Sequence, residues 1–466
     1  MSFDIHIPDH WRWATIAEVQ SSEKRSTITG PFGSSIGKKF FVEHGVPVIR
    51  GNNLSLGSTK FKDEGFVFVS EDKAEELRGY KAFKHDLIFT AAGTIGQVGI
   101  IPDNTKYECY IISNKQMRVR FDTDKVDPMF AYYWFSSPWM VDYIKRHDTG
   151  STIPLINLGV LRSLPIPLPP VVEQVAIRQY LFMIDEKINN NNKINQTLEQ
   201  MAQALFKSWF VDFEPVKAKI TVLEAGGSQE DATLAAMTAI SGKDSDALVV
   251  FEREHPEQYA ELKATAELFP SAMQDSELGD IPEGWNSQRF SNIATLHYGK
   301  ALKKTERIEG PYSVYGSGGI TGSHNSYLVE GPSIIVGRKG SIGTLYWEDG
   351  KFHPIDTVYY VSNKDGVPLS YLYYLMKTLN LSSMNTDAAV PGLNRDNVYR
   401  LEVLKPIQSI LNKFNNHILA IRNMIQKNNF SIATLTTLRD TLLPKLLSGE
   451  ITLPEAEQAV SEVENV

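Results

Sequence analysis

Two stretches of this sequence set glycines beside groups that could hold a phosphate, and neither completes the pattern that chemistry needs. Gly33-Ser34-Ser35-Ile36-Gly37-Lys38-Lys39 approaches a nucleotide-binding P-loop. That loop requires a glycine five residues before Gly37, where Phe32 stands, and a hydroxyl after Lys38, where Lys39 stands. Gly316-Ser317-Gly318-Gly319-Ile320-Thr321-Gly322 approaches a dinucleotide fingerprint, but Thr321 occupies the third glycine's place. No His-Glu-x-x-His occurs. The single cysteine, Cys109, excludes an internal disulfide framework and a Cys-rich zinc site, and reads as a buried apolar residue in a reducing compartment. What the glycine-rich turns do carry is hydrogen-bonding and cationic side chains. Glycine there lets the backbone come close to a ligand. These groups suit recognition, not bond-making.

Composition sets the scale. At 466 residues the chain exceeds one ordinary core and should form about two to four units. Hydrophobic residues at 42% and charged residues at 22% are globular values, so each unit can bury a core. No apolar run approaches the roughly 18 to 20 residues that span a bilayer. Met1 to Pro8 lacks the basic start and apolar middle of a signal peptide, so the expected location is cytoplasmic, with no membrane partner. The net charge is −8, unevenly placed. Residues 214–284 hold 15 acidic and 5 basic residues, and residues 450–466 hold 5 acidic and no Lys or Arg, which leaves +7 for the rest. That balance permits an anionic partner without demanding one.

An internal repeat organises the chain. Ile7-Pro8-Asp9-His10-Trp11 returns as Ile281-Pro282-Glu283-Gly284-Trp285, 274 positions later. Val46-Pro47-Val48-Ile49 resembles Tyr312-Ser313-Val314-Tyr315 at an offset of 266. Gly93-Thr94-Ile95-Gly96 matches Gly340-Ser341-Ile342-Gly343 at 247, and Ile153-Pro154-Leu155-Ile156-Asn157 matches Val390-Pro391-Gly392-Leu393-Asn394 at 237. Beyond that point the offset stays at 237. The front of each copy therefore varies in length, as surface loops do, while the back is held to the residue.

The back of each copy has a helical heptad pattern. In the first copy the seam runs through Ile177, Leu181, Ile184, Ile188, Asn191, Leu198 and Leu205. In the second it runs through Phe414, Ile418, Ile421, Ile425, Asn428, Leu435 and Leu442. Asn stands at the same place in both, where it either fixes register or belongs to a solvated patch around Asn189 to Asn192. A helix from Glu173 to Phe210 would be about 57 Å long. Neither seam can be buried alone, so each helix is expected to pair with the other. The stretch 214–280 could reach back far enough for parallel packing, so pairing alone leaves direction open. The fronts mix β-rich runs such as Gly65-Phe66-Val67-Phe68-Val69 with glycine turns and helical patches such as Tyr132-Tyr133-Trp134-Phe135.

With the repeat in place, several phrases are similar to those of type I restriction-modification specificity subunits. They are Ile-Pro-x-x-Trp opening each front and Leu164-Pro165-Ile166-Pro167-Leu168-Pro169-Pro170 with Glu173-Gln174. Ala204-Leu205-Phe206-Lys207-Ser208-Trp209-Phe210-Val211-Asp212-Phe213-Glu214-Pro215 follows the first helix, Asp275-Ser276-Glu277-Leu278-Gly279 precedes the second front, and Leu442-Leu443-Pro444-Lys445-Leu446-Leu447-Ser448-Gly449-Glu450-Ile451 closes the second helix. The resemblance covers essentially the whole chain. It implies an α+β protein with two mixed α/β target-recognition domains, separated by two long antiparallel coiled-coil helices about a pseudo-twofold axis. The expected divisions are a head over 1–170, a spacer helix over 171–213, an acidic connector over 214–280, a second head over 281–406, a second spacer over 407–449 and an acidic tail over 450–466. It further implies double-stranded DNA as ligand, read as two half-sites, with two methyltransferase subunits and restriction subunits as partners. No cofactor is expected in this chain; S-adenosylmethionine, ATP and Mg2+ would sit on the partners. An amino-methyltransferase needs Asn or Asp before Pro-Pro and an aromatic residue after it, whereas Pro169-Pro170 lies between Leu168 and Val171.

On this resemblance the polar groups at the turns become candidate DNA contacts, with Arg suited to guanine, Asn to adenine, and Lys, Ser and backbone amides to phosphates. They are Ser34, Ser35, Lys38, Lys39, Arg50, Asn52 and Asn53 in the first head. In the second they are Lys303, Lys304, Ser317, Asn325, Arg338 and Lys339, the last two forming a basic pair beside a repeated Gly-x-x-Gly turn. Ordinary surface placement is the competing reading for each. Trp11 and Trp285 read as core anchors. The connector repels DNA by its charge and is expected to lie off the duplex, with a short helix over Glu252 to Leu268. A self-contained modification enzyme and a scaffold that reads no DNA are the rival functions.

Overall fold

The computed structural model describes residues 5–54, 60–150, 152–384, 392–452 and 454–455. Val390 and Pro391 of the repeat, and Leu453 and residues 456–466 of the acidic tail, lie outside the described residues. The chain divides into two units, one of residues 1–192 with 428–466 and one of residues 193–427.

In the first unit, the ribbon Arg12–Thr15 with Pro165–Leu168 closes the head. A four-stranded antiparallel sheet follows the order Thr27–Thr29, Gln116–Val119, Leu87–Thr90, Val98–Ile100. All four residues of Leu87–Thr90 are buried, as expected of a strand covered on both faces. A second sheet has the order Phe41–Val42, Val67–Val69, Val46–Ile49, Tyr110–Ile112, Lys81–Ala82, and its Val46–Ile49 and Tyr110–Ile112 strands are parallel. Helices Pro128–Ser136 and Pro138–Arg146 begin on Asp127 and Ser137, whose side chains accept from the amides of Phe130 and Met140, and each has proline in its first turn.

The second unit repeats this plan. The ribbon is Asn286–Arg289 with Glu402–Lys405. The antiparallel sheet runs Ala294–Tyr298, Val358–Asn363, Ser333–Gly337, Leu345–Glu348. The other sheet runs Gly319–His324, Tyr312–Gly316, Lys351–Pro354, Val329–Glu330, again with one parallel pair, Tyr312–Gly316 beside Lys351–Pro354. Single hydrogen bonds repeat as well. Trp11 N donates to Pro8 O at 2.9 Å and Trp285 N to Pro282 O at 3.1 Å. Trp285 is fully buried, and Trp11 is nearly so, with its indole donating to Glu173 Oε2 at 2.8 Å. Both tryptophans are core anchors.

Each front leads into a long helix, Val171–Phe210 of 40 residues and Gln408–Ser448 of 41. In the first unit Ile177, Leu181, Ile184 and Ile188 are buried with Leu435, Leu442, Leu443 and Leu446 in one core. There Asp185 meets Arg439 at 3.3 Å and Asn191 donates to Ser431 Oγ at 3.2 Å, so numbers rise on one helix as they fall on the other and the pair is antiparallel. In the second unit Leu198, Ala202 and Phe206 share a core with Phe414, Ile418 and Ile421. Leu205 and Ile425 are half-buried at its edge. Asn191 is half-buried and bonded across the helix pair, which favours register over a solvated patch.

Residues 214–267 form four helices: Glu214–Glu224, Gln229–Ser241, Ser245–Glu254 and Pro256–Glu267. Where the sequence suggests one helix over Glu252 to Leu268, the structure breaks it at His255, because Pro256 starts a new helix. These helices have a small core of their own, Ala236, Met237, Leu248 and Ala266. Cys109 is half-buried, not buried as its composition suggests, and burial pushes its thiol up.

Candidate nucleic-acid interface

In the second unit the turn after the strand Ser333–Gly337 carries Arg338, Lys339 and Gly340. The Arg338 amide donates to Thr357 O at 2.8 Å and Leu393 N donates to Arg338 O at 2.8 Å, so the backbone here is fixed from two sides. Gly340 takes φ +82°, which a side chain would strain, and a Cβ there would lie 3.3 Å from Ser317 Oγ. Thr344 Oγ1 donates to Ser317 O at 2.7 Å. The structure thus brings Ser317, Arg338 and Lys339 to one place.

The Arg338 guanidinium donates to Asp356 O at 3.0 Å and lies over the Tyr298 ring at 4.8 Å and the Tyr359 ring at 5.7 Å. Arg395 lies over the same Tyr298 ring at 5.0 Å and over Tyr399 at 5.6 Å. Tyr298 is 48% exposed, so the assembly reaches solvent. Among the described residues no carboxylate pairs with either guanidinium. The field shows on His297 nearby, which burial first, then the Lys364 and Arg395 cations, hold below the usual histidine range. Two cations over an exposed aromatic ring, with no anion of their own among the described residues, make a site for an electron-rich partner. Sequence reasoning missed Tyr298 and Arg395. The available signal was the position of Arg395 just after the repeated Asn394.

Lys303, Lys304 and Asn325 are exposed but not joined to this group by any contact among the described residues. Lys303 pairs with Glu306 at 3.8 Å, and the backbone at Asn325 presses against Gly310.

In the first unit Ser34, Lys38 and Lys39 are exposed and Ser35 half-buried, on two short turns, Gly33–Ser35 and Lys38–Phe40. No α-helix follows these turns to complete a P-loop; the chain passes into the strand Phe41–Val42. Arg50 is half-buried, with a buried Nε that has no hydrogen-bond partner among the described residues, and Asn52 is exposed. Asn53 must be withdrawn as a DNA contact. It is fully buried, donates to Lys62 O at 3.1 Å and Glu64 O at 2.9 Å, and accepts from Arg50 N at 3.0 Å. Its side chain is used up in shaping the loop that presents Arg50 and Asn52.

The family described as "Type I restriction modification DNA specificity domain" matches residues 23–200 and 282–429, one segment in each copy of the repeat. The chain belongs to this family. It is 30% identical to the type I restriction enzyme HindI specificity subunit of Haemophilus influenzae over 391 residues, 76% of this chain and 85% of that one. It is 24% identical to the type I restriction enzyme MjaIX specificity subunit of Methanocaldococcus jannaschii over 88% of each chain. Its fold is similar to the crystal structure of the type I restriction-modification system S subunit from M. genitalium, at a TM-score of 0.50 and 18% identity, over 96% of this chain and 98% of that one. Type I specificity family membership agrees with the duplicated α+β plan described above. Among the described residues no helix is long and apolar enough to cross a membrane, and no group of His, Cys, Asp and Glu is placed to hold a metal ion.

Proposed function

We propose that the chain selects DNA sequence for a type I restriction-modification complex, each head reading one half of a bipartite site. The observation that carries this reading is the contrast between frame and surface. The two heads share strand order, one parallel pair and individual backbone hydrogen bonds, yet bear different side chains on that frame. A shared scaffold with divergent exposed polar groups is what two readers of different sequences require. The two long helices serve as spacer and as the docking place for two methyltransferase subunits, through which restriction subunits join. S-adenosylmethionine, ATP and Mg2+ belong to those partners. The target adenine is flipped out of the duplex by the methyltransferase while this chain holds the register.

The test is to co-express the chain with its methyltransferase and measure fluorescence anisotropy on duplexes containing or lacking the sequence methylated in the host genome. A preference of about a thousandfold or more supports sequence selection. Equal binding to all duplexes would reduce the chain to a scaffold. Transfer of labelled methyl groups by the purified chain alone would establish an enzyme instead.

A further inference from the structure

The two heads can be superposed bond by bond, which identifies the same place in each. Ala91 N donates to Lys115 O at 2.7 Å, as Arg338 N does to Thr357 O at 2.8 Å. Ile156 N donates to Ala91 O at 2.9 Å, as Leu393 N does to Arg338 O at 2.8 Å. Thr29 pairs with Met117 in its sheet and Tyr298 pairs with Tyr359 in the corresponding one. Asn157 and Asn394 each cap a short helix whose first residue is Leu158 in one head and Arg395 in the other. The three members of the stack, Tyr298, Arg338 and Arg395, therefore correspond to Thr29, Ala91 and Leu158.

The frame needs none of these three side chains, because the bonds that define the place come from backbone atoms and the two capping asparagines. Where the frame does need a residue, both copies keep it, as with the tryptophans, Asn157 and Asn394, and Gly30 and Gly299. A Cβ on Gly30 would come within 1.9 Å of Ser113 O, and one on Gly299 within 2.1 Å of Ile355 O. The Arg-Tyr-Arg stack belongs to the second head's own task.

We propose that Arg338 and Arg395, oriented on Tyr298, read guanine in the second head's half-site, and that the first head reads no guanine through the corresponding place. The proposal rests on the DNA-reading function above and adds the residues and the base. Arg338 spends one N–H on Asp356 O and Arg395 keeps its Nε buried, so the remaining terminal N–H groups of the two planar guanidiniums are what a ligand can use. Such groups match the paired acceptors O6 and N7 of guanine in the major groove. Tyr298 and the Asp356 carbonyl restrict the side chains before DNA arrives, so little freedom is lost on binding. A phosphate also accepts from a guanidinium fork, and the two ligands differ in what the variants below would lose.

The experiment is to express the complex with wild-type chain, R338K, R395K or Y298L, and to map methylated adenines across a genome. Co-purification with the methyltransferase and an unchanged melting temperature report that each variant is folded. The expected result is that the lysine variants lose about ten- to a hundredfold discrimination at a G·C pair in one half of the site, with the other half unchanged. Y298L should relax the same position to a smaller extent. An unchanged motif in all three variants overturns the proposal while leaving DNA reading intact. Uniform weakening at all sites, with a salt slope reduced by about one in the corresponding alanine variant, identifies a phosphate contact and also overturns it. Absence of any preferred sequence in the wild-type complex refutes the function itself.

Discussion

Replacing Asp185 with alanine should destabilise the first unit by about 3–5 kcal/mol, toward the lower end of that range. Asp185 is 2% exposed on the first long helix. Its carboxylate meets Lys60 Nζ at 2.9 Å, accepts from Tyr133 OH at 2.8 Å and meets Arg439 Nη1 of the second long helix at 3.3 Å. Removing it leaves two partly desolvated cations and a buried hydroxyl without their shared acceptor, and an orphaned buried charge costs more than the pair contributes. Arg439 keeps Asp440 at 2.7 Å, which moderates the loss. For a unit of this size each kcal/mol lowers the melting temperature by about 2–4 °C, so about 3 kcal/mol gives a fall of roughly 6–12 °C. Differential scanning calorimetry of D185A reads it. The triple variant K60M/D185L/R439L, which removes all three charges and fills the space, should be more stable than D185A. A fall below about 2 °C in D185A, or a triple variant no better than the single, would refute the reasoning.

Three further outcomes are expected. K38A and K39A should each weaken binding to specific and non-specific duplexes alike and reduce the salt slope by about one, read by anisotropy titrations across salt. N53A should cost about 1–3 kcal/mol in urea unfolding and leave the preferred DNA sequence unchanged, because its hydrogen bonds all go to its own loop. The second unit should lose stability as pH falls below about 6.5. Burial, as the first cause, lowers His297, His353 and His417, so the unfolded chain takes up protons that the folded chain refuses. Stability is thus full above the ordinary histidine value and declines below it. H353Q should flatten a melting-temperature profile taken from about pH 7.5 to about 5.5.

The frame was legible because its signals are local or periodic. The heptads place Ile177, Leu181, Ile184 and Ile188 in the core, where the structure has them, and the shrinking offset marks where one head carries more loop than the other. Trp11 and Trp285 declared themselves by recurring. The candidate reading surface was less legible, since it is assembled by strand pairing across distance. Nothing adjacent to Tyr298 announces that Arg338 and Arg395, 40 and 97 positions later, will lie over its ring. Asn52 and Asn53 are neighbours of the same type, yet one is exposed and the other fully buried, because the loop at 62–64 closes over only one of them. In 214–267 the sequence suggested only the helical stretch near the end, because a small core of Ala236, Met237, Leu248 and Ala266 stands in place of a strong apolar stripe.

The long helices are fitted to their heads and are not neutral rods. The constant offset of 237 places Asp185 and Arg422 at the same point of the repeat, where the charge reverses. In the first unit Asp185 receives Lys60 from the head. In the second, Arg422 lies over Trp347 at 4.6 Å and pairs with Asp349 at 3.2 Å. A head moved to the other position would set Asp349 toward Asp185, or Lys60 toward Arg422, like charge against like. Loops such as those bearing Arg338 or Lys38 are under no such constraint. Changing a few exposed side chains on either head leaves this match intact, whereas exchanging whole heads requires the matching helix residue to travel with them.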